Sequence, residues 1–122
     1  MTLVWVARVA ALVAVAVACY LTLTPDPSGA GVIPDWAGHF IIFAGVGASF
    51  AVLKQVSGWP ASALVGLGAA VVLIAVGTEV GQAFTPRDPA LRDLVFDLAG
   101  GLSSLVAVDW MAPQLLGSHP AD

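Results

Sequence analysis

Four apolar stretches, each about twenty residues long and each closed by a turn signal, dominate this chain of 122 residues. The first runs from Leu3 to Leu23 and breaks in Thr24-Pro25-Asp26-Pro27-Ser28-Gly29. The second runs from Trp36 to Val56 and ends in Ser57-Gly58-Trp59-Pro60. The third covers Ala61 to Phe84 and stops at Pro86, whose ring also pushes Thr85 out of helical geometry. The fourth opens with Asp88 as N-cap and Pro89 as first helical residue, and fades near Met111. As helices rising ~1.5 Å per residue, all four reach across a ~30 Å hydrocarbon core. Membrane-spanning strands are excluded, because a barrel needs about eight of them or more. The expected fold is an all-α membrane protein: a bundle of four transmembrane helices over residues 1–112, with both termini on the same side. A short polar tail over residues 113–122 completes the expected domain plan, and His119 there has no partner in sequence.

Composition removes the alternatives. The chain is 59% hydrophobic and 10% charged, whereas a soluble domain carries roughly 25% charged residues to cover itself in water. A lipid bilayer is therefore its first partner. The net charge of −4 reflects a shortage of Lys and Arg, four in all, so nucleic acid is not a partner. A single cysteine, Cys19, excludes an internal disulfide and any multi-cysteine metal site. Ala16-Val17-Ala18-Cys19 loosely resembles a lipoprotein cleavage site. The apolar run continues past it, however, and Ala16 stands where Leu is usual, so the first span is read as retained. Trp5, Trp36, Trp59 and Trp110 all fall at expected span ends, where interfacial indoles anchor helices. Gly77 with Gly81, and Gly100 with Ser104, have the small-xxx-small spacing of close helix contacts.

Charge gives little orientation. Arg8 and Lys54 would balance Arg87 and Arg92 across the membrane. The first connection carries Asp26 and Asp35 but no Lys or Arg, which favours a cytoplasmic N-terminus. Either way, an even number of spans puts the first and third connections on one side. Asp35, His39, Glu79, Gln82, Arg87, Arg92, Asp93 and Asp97 are then expected to converge at one membrane face.

Those residues are the candidate site. Ionisable groups at membrane depth cost several kcal/mol, by order of magnitude, unless paired, hydrated or neutralised. Asp35 and His39 are four apart at a helix start and share a face with Phe43. Their structural reading is an N-cap and an interfacial histidine; their functional reading is ion, ligand or proton binding. Glu79 and Gln82 share a face near the end of the third span, and Glu79 there needs a proton, an arginine or a wet cavity. Asp93, Asp97 and Gly100 form one stripe of the fourth helix. Counting from Asp88, Asp97 lies roughly 13 Å deep. Arg87 and Arg92 either neutralise Glu79 and Asp93 or hold an anionic head group. Arg8, Lys54 and Asp109 read as snorkelling and pairing groups at the opposite face. No P-loop, Gly-x-Ser-x-Gly, His-Glu-x-x-His or cysteine metal pattern occurs, so no catalytic residue is assigned.

Taken in order, Asp35-x-x-x-His39-Phe40-x-x-Phe43, Glu79-x-x-Gln82-x-Phe84-x-Pro86-Arg87 and Asp93-x-x-x-Asp97-x-x-Gly100 resemble the VanZ-like family of small bacterial membrane proteins. The resemblance covers about residues 20 to 105. It departs at Asp97, where the family usually has Asn. It implies a multi-span protein of the bacterial plasma membrane and cell envelope. It also carries a link, by name, to low-level glycopeptide resistance, and supplies no reaction or ligand.

Three functions compete at this stage. The leading one is a non-enzymatic protein whose outward-facing polar pocket binds an anionic lipid or a lipid-linked cell-wall precursor, with Arg87 and Arg92 on the anion. The second is a membrane-embedded enzyme using a divalent cation, Mg²⁺ or Mn²⁺ before zinc, on Glu79, Asp93 or Asp97 with His39 as base. The third is proton or ion passage along Asp35, His39, Glu79 and Asp97. Oligomeric state is not legible in the sequence.

Overall fold

The computed structural model describes residues 2–25 and 32–115. It contains four helices, α1 Leu3–Leu23, α2 Asp35–Val56, α3 Ala63–Gln82 and α4 Leu91–Leu115, with no strand among the described residues. All four are long and apolar enough to cross a membrane, the architecture of a multi-pass membrane protein.

The distribution of apolar side chains fits lipid better than water. Large residues such as Leu12, Val65, Leu73, Val80 and Val106 point outward from the bundle. The buried apolar core is small, formed by Ala18, Phe43, Val46, Val71 and Ala75. In lipid, apolar burial gives no net drive between helices, and close backbone approach has to supply the attraction. The seam between α2 and α4 supplies it. A Cβ on Gly47 would overlap the carbonyl oxygen of Gly101, and one on Gly100 would overlap the carbonyl oxygen of Phe40. Ser104 Oγ donates to the Ala44 carbonyl across the same seam at 2.8 Å. The expected contact through Gly100 and Ser104 is thus present. Gly77, by contrast, faces open space, and Gly81 meets only the flexible Leu23 side chain. That glycine pair is not a helix seam.

Helix α2 packs against all three others and α3 against α1 and α4, while the backbones of α1 and α4 stay apart among the described residues. The helices alternate in direction. The end of α1, the start of α2, the end of α3 and the start of α4 meet at one end of the bundle. At the other end Lys54 of α2 meets Asp109 of α4, and Leu3 lies near Val56 and Leu115.

Two boundaries differ from the sequence reading. Helix α4 begins at Leu91, so Asp88 and Pro89 lie before it rather than as N-cap and first residue. The carbonyl of Ala90 accepts the N–H groups of Asp93 and Leu94, while the N–H of Ala90 is taken by Glu79 Oε1 from α3. An acceptor from a neighbouring helix thus does the work that a local N-cap was expected to do. The later start leaves Asp97 six residues into the helix, about 9 Å deep rather than about 13 Å. At its far end α4 continues through Pro113 to Leu115. Proline has no N–H for the carbonyl four residues earlier, that of Asp109. Gln55 Nε2 donates to that carbonyl instead, at 3.1 Å. The remainder of the expected tail, 116–122, lies outside the described residues, as do Asp26 and Ser28 of the first connection.

Candidate functional site

Helix α2 starts at Asp35 after Pro34, whose restricted φ precedes the first turn without a side-chain cap. Asp35 is therefore not the N-cap. Its carboxylate is free to turn sideways, and it accepts both of its hydrogen bonds from Arg87 Nη2, at 3.0 and 3.1 Å. One turn deeper His39 is 3% exposed, and Phe43 beneath it is fully buried. His39 is thus buried within the bundle.

The face of α2 that carries these residues meets the stripe of α4 that carries Asp93 and Asp97. His39 Nδ1–H donates to Asp97 Oδ1 at 2.8 Å. The other ring nitrogen, Nε2, lies 3.8 Å from Asp93 Oδ2 and 4.0 Å from Asp35 Oδ2, outside hydrogen-bond reach of both. One ligand atom each from Asp35, His39 and Asp93 lie within 4.8 Å of one another. From α3, Glu79 caps α4 through Ala90, and Gln82 Nε2 donates to the Thr22 carbonyl at 2.8 Å.

Arg87 closes the site toward α1. Its Nη1 donates to the carbonyls of Leu21, Thr22 and Thr24, at 3.2, 3.2 and 3.4 Å. Carbonyls in the last turn of a helix have no partner within the helix, so a guanidinium is well matched to them. Arg87 was expected either to neutralise Glu79 or to hold an anionic head group; it is instead spent on Asp35 and α1. Arg92 does lie beside Asp93, as expected, with Nε 3.7 Å from Oδ1, but its side chain is 64% exposed.

All eight expected site residues therefore meet at one end of the bundle. Sequence reading missed Thr22 and the α1 terminal carbonyls. The signal available was the helix end itself, which always leaves acceptors without partners.

The cluster is unbalanced. Four carboxylates, Asp35, Glu79, Asp93 and Asp97, face Arg87, Arg92 and His39. Glu79 Oε2, Gln82 Oε1, Asp93 Oδ1 and Asp97 Oδ2 are buried with no hydrogen-bond partner. Buried polar atoms are nearly always partnered, so four such acceptors in one cluster call for something that donates to them or coordinates them. Beneath the cluster the interior is closed by Phe43, Val46, Val71 and Ala75. The hydroxyl of Thr78, near the same depth, is spent on the Ala75 carbonyl. No protein-family model, curated protein or solved structure matches the chain.

Proposed function

We propose that this chain is a multi-pass protein of the bacterial plasma membrane, of the VanZ-like kind, whose polar pocket at one membrane end binds the anionic head group of a lipid or lipid-linked envelope precursor. The observation that carries this reading is the exposed guanidinium of Arg92 at the mouth of a cluster whose four buried acceptors, from α3 and α4, have no partner. Asp35 and Arg92, with side chains 53% and 64% exposed, form that mouth. Anion contact falls to Arg92, since Arg87 is occupied by Asp35 and the α1 carbonyls. The excess of carboxylate means that the head group enters together with a balancing cation.

Binding is favoured over passage by what lies below. From Asp97 to Asp109, the next ionisable residue along α4, is twelve positions, or about 18 Å of helix. The side chains at the centre of the bundle over that distance are largely apolar. A proton or ion would find no ionisable relay there.

The test is lipid retention. The full chain, purified in neutral detergent and analysed by native mass spectrometry, should hold phosphatidylglycerol in preference to phosphatidylcholine. Arg92→Gln should weaken that preference about tenfold, the worth of one charge-assisted hydrogen bond. Equal retention of both lipids would end the head-group reading. The outward orientation is tested separately, with Cys19→Ala and single cysteines at Val32 or Ala61. An impermeant thiol reagent should label the Val32 position alone in intact cells, and labelling of the Ala61 position alone would reverse the topology.

A further inference from the structure

We propose that Asp35, His39 and Asp93 form a binding site for one divalent cation that accepts mixed oxygen and nitrogen ligands, with Asp97 as the residue that positions His39. The site lies in the same cluster as the head-group pocket but does not rest on that reading.

The geometry around His39 carries the proposal. Its Nδ1–H is fixed on Asp97 at 2.8 Å, which turns Nε2 toward Asp35 and Asp93. A histidine whose one nitrogen is held by a carboxylate, and whose other nitrogen faces further ligands, is the usual arrangement behind a metal-bound imidazole. Had Nε2 carried a proton for Asp93 or Asp35, the pair should close to the ~2.8 Å of a charge-assisted bond, as His39 does with Asp97. Instead Nε2 stands 3.8 Å from one carboxylate and 4.0 Å from the other. A cation about 2.1 Å from each donor would hold neighbouring donors roughly 3.0–3.5 Å apart. The donors here are wider apart, at 3.8 and 4.0 Å from Nε2 and within 4.8 Å of one another overall, so side-chain rotations that draw them together by about 1 Å would close the site.

A second observation points the same way. Asp93 is 4% exposed, yet its Oδ1 has no hydrogen-bond partner, and the nearest cationic nitrogen, Arg92 Nε, is 3.7 Å away. A buried carboxylate oxygen left like this is costly in a low-dielectric interior. Bidentate coordination by Asp93, through Oδ2 beside His39 Nε2 and through Oδ1, satisfies it. Asp35 keeps lone pairs for a metal while accepting from Arg87, since a carboxylate offers about four acceptor sites. Its exposure provides the path in from solvent. Two oxygens and one imidazole nitrogen suit Mn²⁺ or a similar first-row ion; Ca²⁺ and Mg²⁺ prefer oxygen throughout.

The experiment uses Mn²⁺ alone, added to the full chain in neutral detergent without anionic lipid. Electron paramagnetic resonance should show one Mn²⁺ bound per chain, and spin-echo modulation should show a single imidazole nitrogen coupled to it. His39→Gln should abolish the nitrogen signal and weaken binding about a hundredfold, and Asp93→Asn should weaken it similarly. Asp97→Asn still offers an oxygen to Nδ1–H, so the nitrogen signal should persist with binding about tenfold weaker. Asp88→Asn, an exposed carboxylate at the same end, should change nothing. Tryptophan-monitored thermal unfolding checks that each variant is folded. Where His39→Gln or Asp93→Asn does not fold, the nitrogen signal of the parent and the loss of affinity in Asp35→Asn decide the matter. No binding by the folded parent at millimolar Mn²⁺, binding without nitrogen coupling, or equal loss in Asp88→Asn would overturn the site. Because no anionic lipid is present, failure here leaves the lipid-retention result to stand or fall alone.

Discussion

The two ends of this bundle solve the same problem in opposite ways. At one end Lys54 Nζ lies 2.8 Å from Asp109 Oδ1, and Gln55 Nε2 donates to that oxygen at 2.7 Å and to the Asp109 carbonyl at 3.1 Å. One positive charge meets one negative charge, and the carbonyl orphaned by Pro113 is covered. Ser57 Oγ is the one buried atom there without a partner among the described residues. At the other end charges outnumber their counterparts, and four buried acceptors have nothing to accept from. Helices α2 and α4 run through both ends, and at the open end α1 and α3 join them. A closed pair is what structure alone requires; an open surplus of acceptors is what a ligand requires.

The sharpest way to break that contrast is at the closed end. Lys54→Met removes the cation and leaves the half-buried Asp109 beside a methyl group. Removal of one partner from a buried pair should cost about 3 kcal/mol, read from the denaturation midpoint in mixed micelles. A loss below about 1 kcal/mol would mean that the pair is effectively solvated, and the two ends would no longer differ in kind.

The seam common to both ends comes next. Gly47→Ala places a methyl group against the Gly101 carbonyl and the Ser104 hydroxyl, and overpacking of this sort should cost about 2 kcal/mol. Gly77→Ala meets nothing within 4 Å and should be neutral or stabilising by up to about 1 kcal/mol, through helix propensity. Equal effects at the two glycines would show that α2 and α4 are not pressed together as described.

That second pair also marks what a sequence can and cannot disclose. Spans are legible because lipid imposes a length: α1 runs from Leu3 to Leu23, as its apolar run requires. Convergence of the eight polar residues is legible because alternating spans bring helix ends together. Partner choice is not. Arg87 is nearer in sequence to Glu79 and Asp93 than to Asp35, yet it takes Asp35, fifty-two residues away, because the bare carbonyls of α1 draw it to that side. The start of α4 was misplaced for a related reason. Asp88 and Pro89 have the local chemistry of a helix start, but Glu79 supplies the acceptor from another helix. Small-residue spacing has the same blind spot, since Gly77 and Gly100 look alike until the neighbouring helix is in place.

At the open end a smaller effect of opposite sign is expected. Glu79→Gln keeps a carbonyl to accept the Ala90 N–H and removes one of four crowded carboxylates. With a chelator present to strip bound cations, the variant should be more stable than the parent by about 1 kcal/mol. A clear loss of stability would mean that Glu79 is already balanced within the protein, and the surplus would shrink by one.

The smallest expected change in stability is at Asp97, the most buried carboxylate among the described residues. Asp97 is fully buried, with Oδ1 holding His39 Nδ1–H and Oδ2 without a partner. Asp97→Asn preserves volume and leaves an amide oxygen to accept from Nδ1–H, while the removed charge was one that nothing else at that depth fully balances. Stability in chelator should therefore move by less than about 0.5 kcal/mol, far less than at Lys54, where the removed charge has a dedicated partner. Asp97→Leu is the informative contrast. It strands a buried N–H on His39 and should cost about 2 kcal/mol, the penalty for an unsatisfied buried donor. If both substitutions destabilise alike, the Asp97 charge is itself structural and the open end resembles the closed one. If Asn is tolerated and Leu is not, the hydrogen bond to His39 is what the fold needs, and the charge on Asp97 is left for whatever the cluster binds.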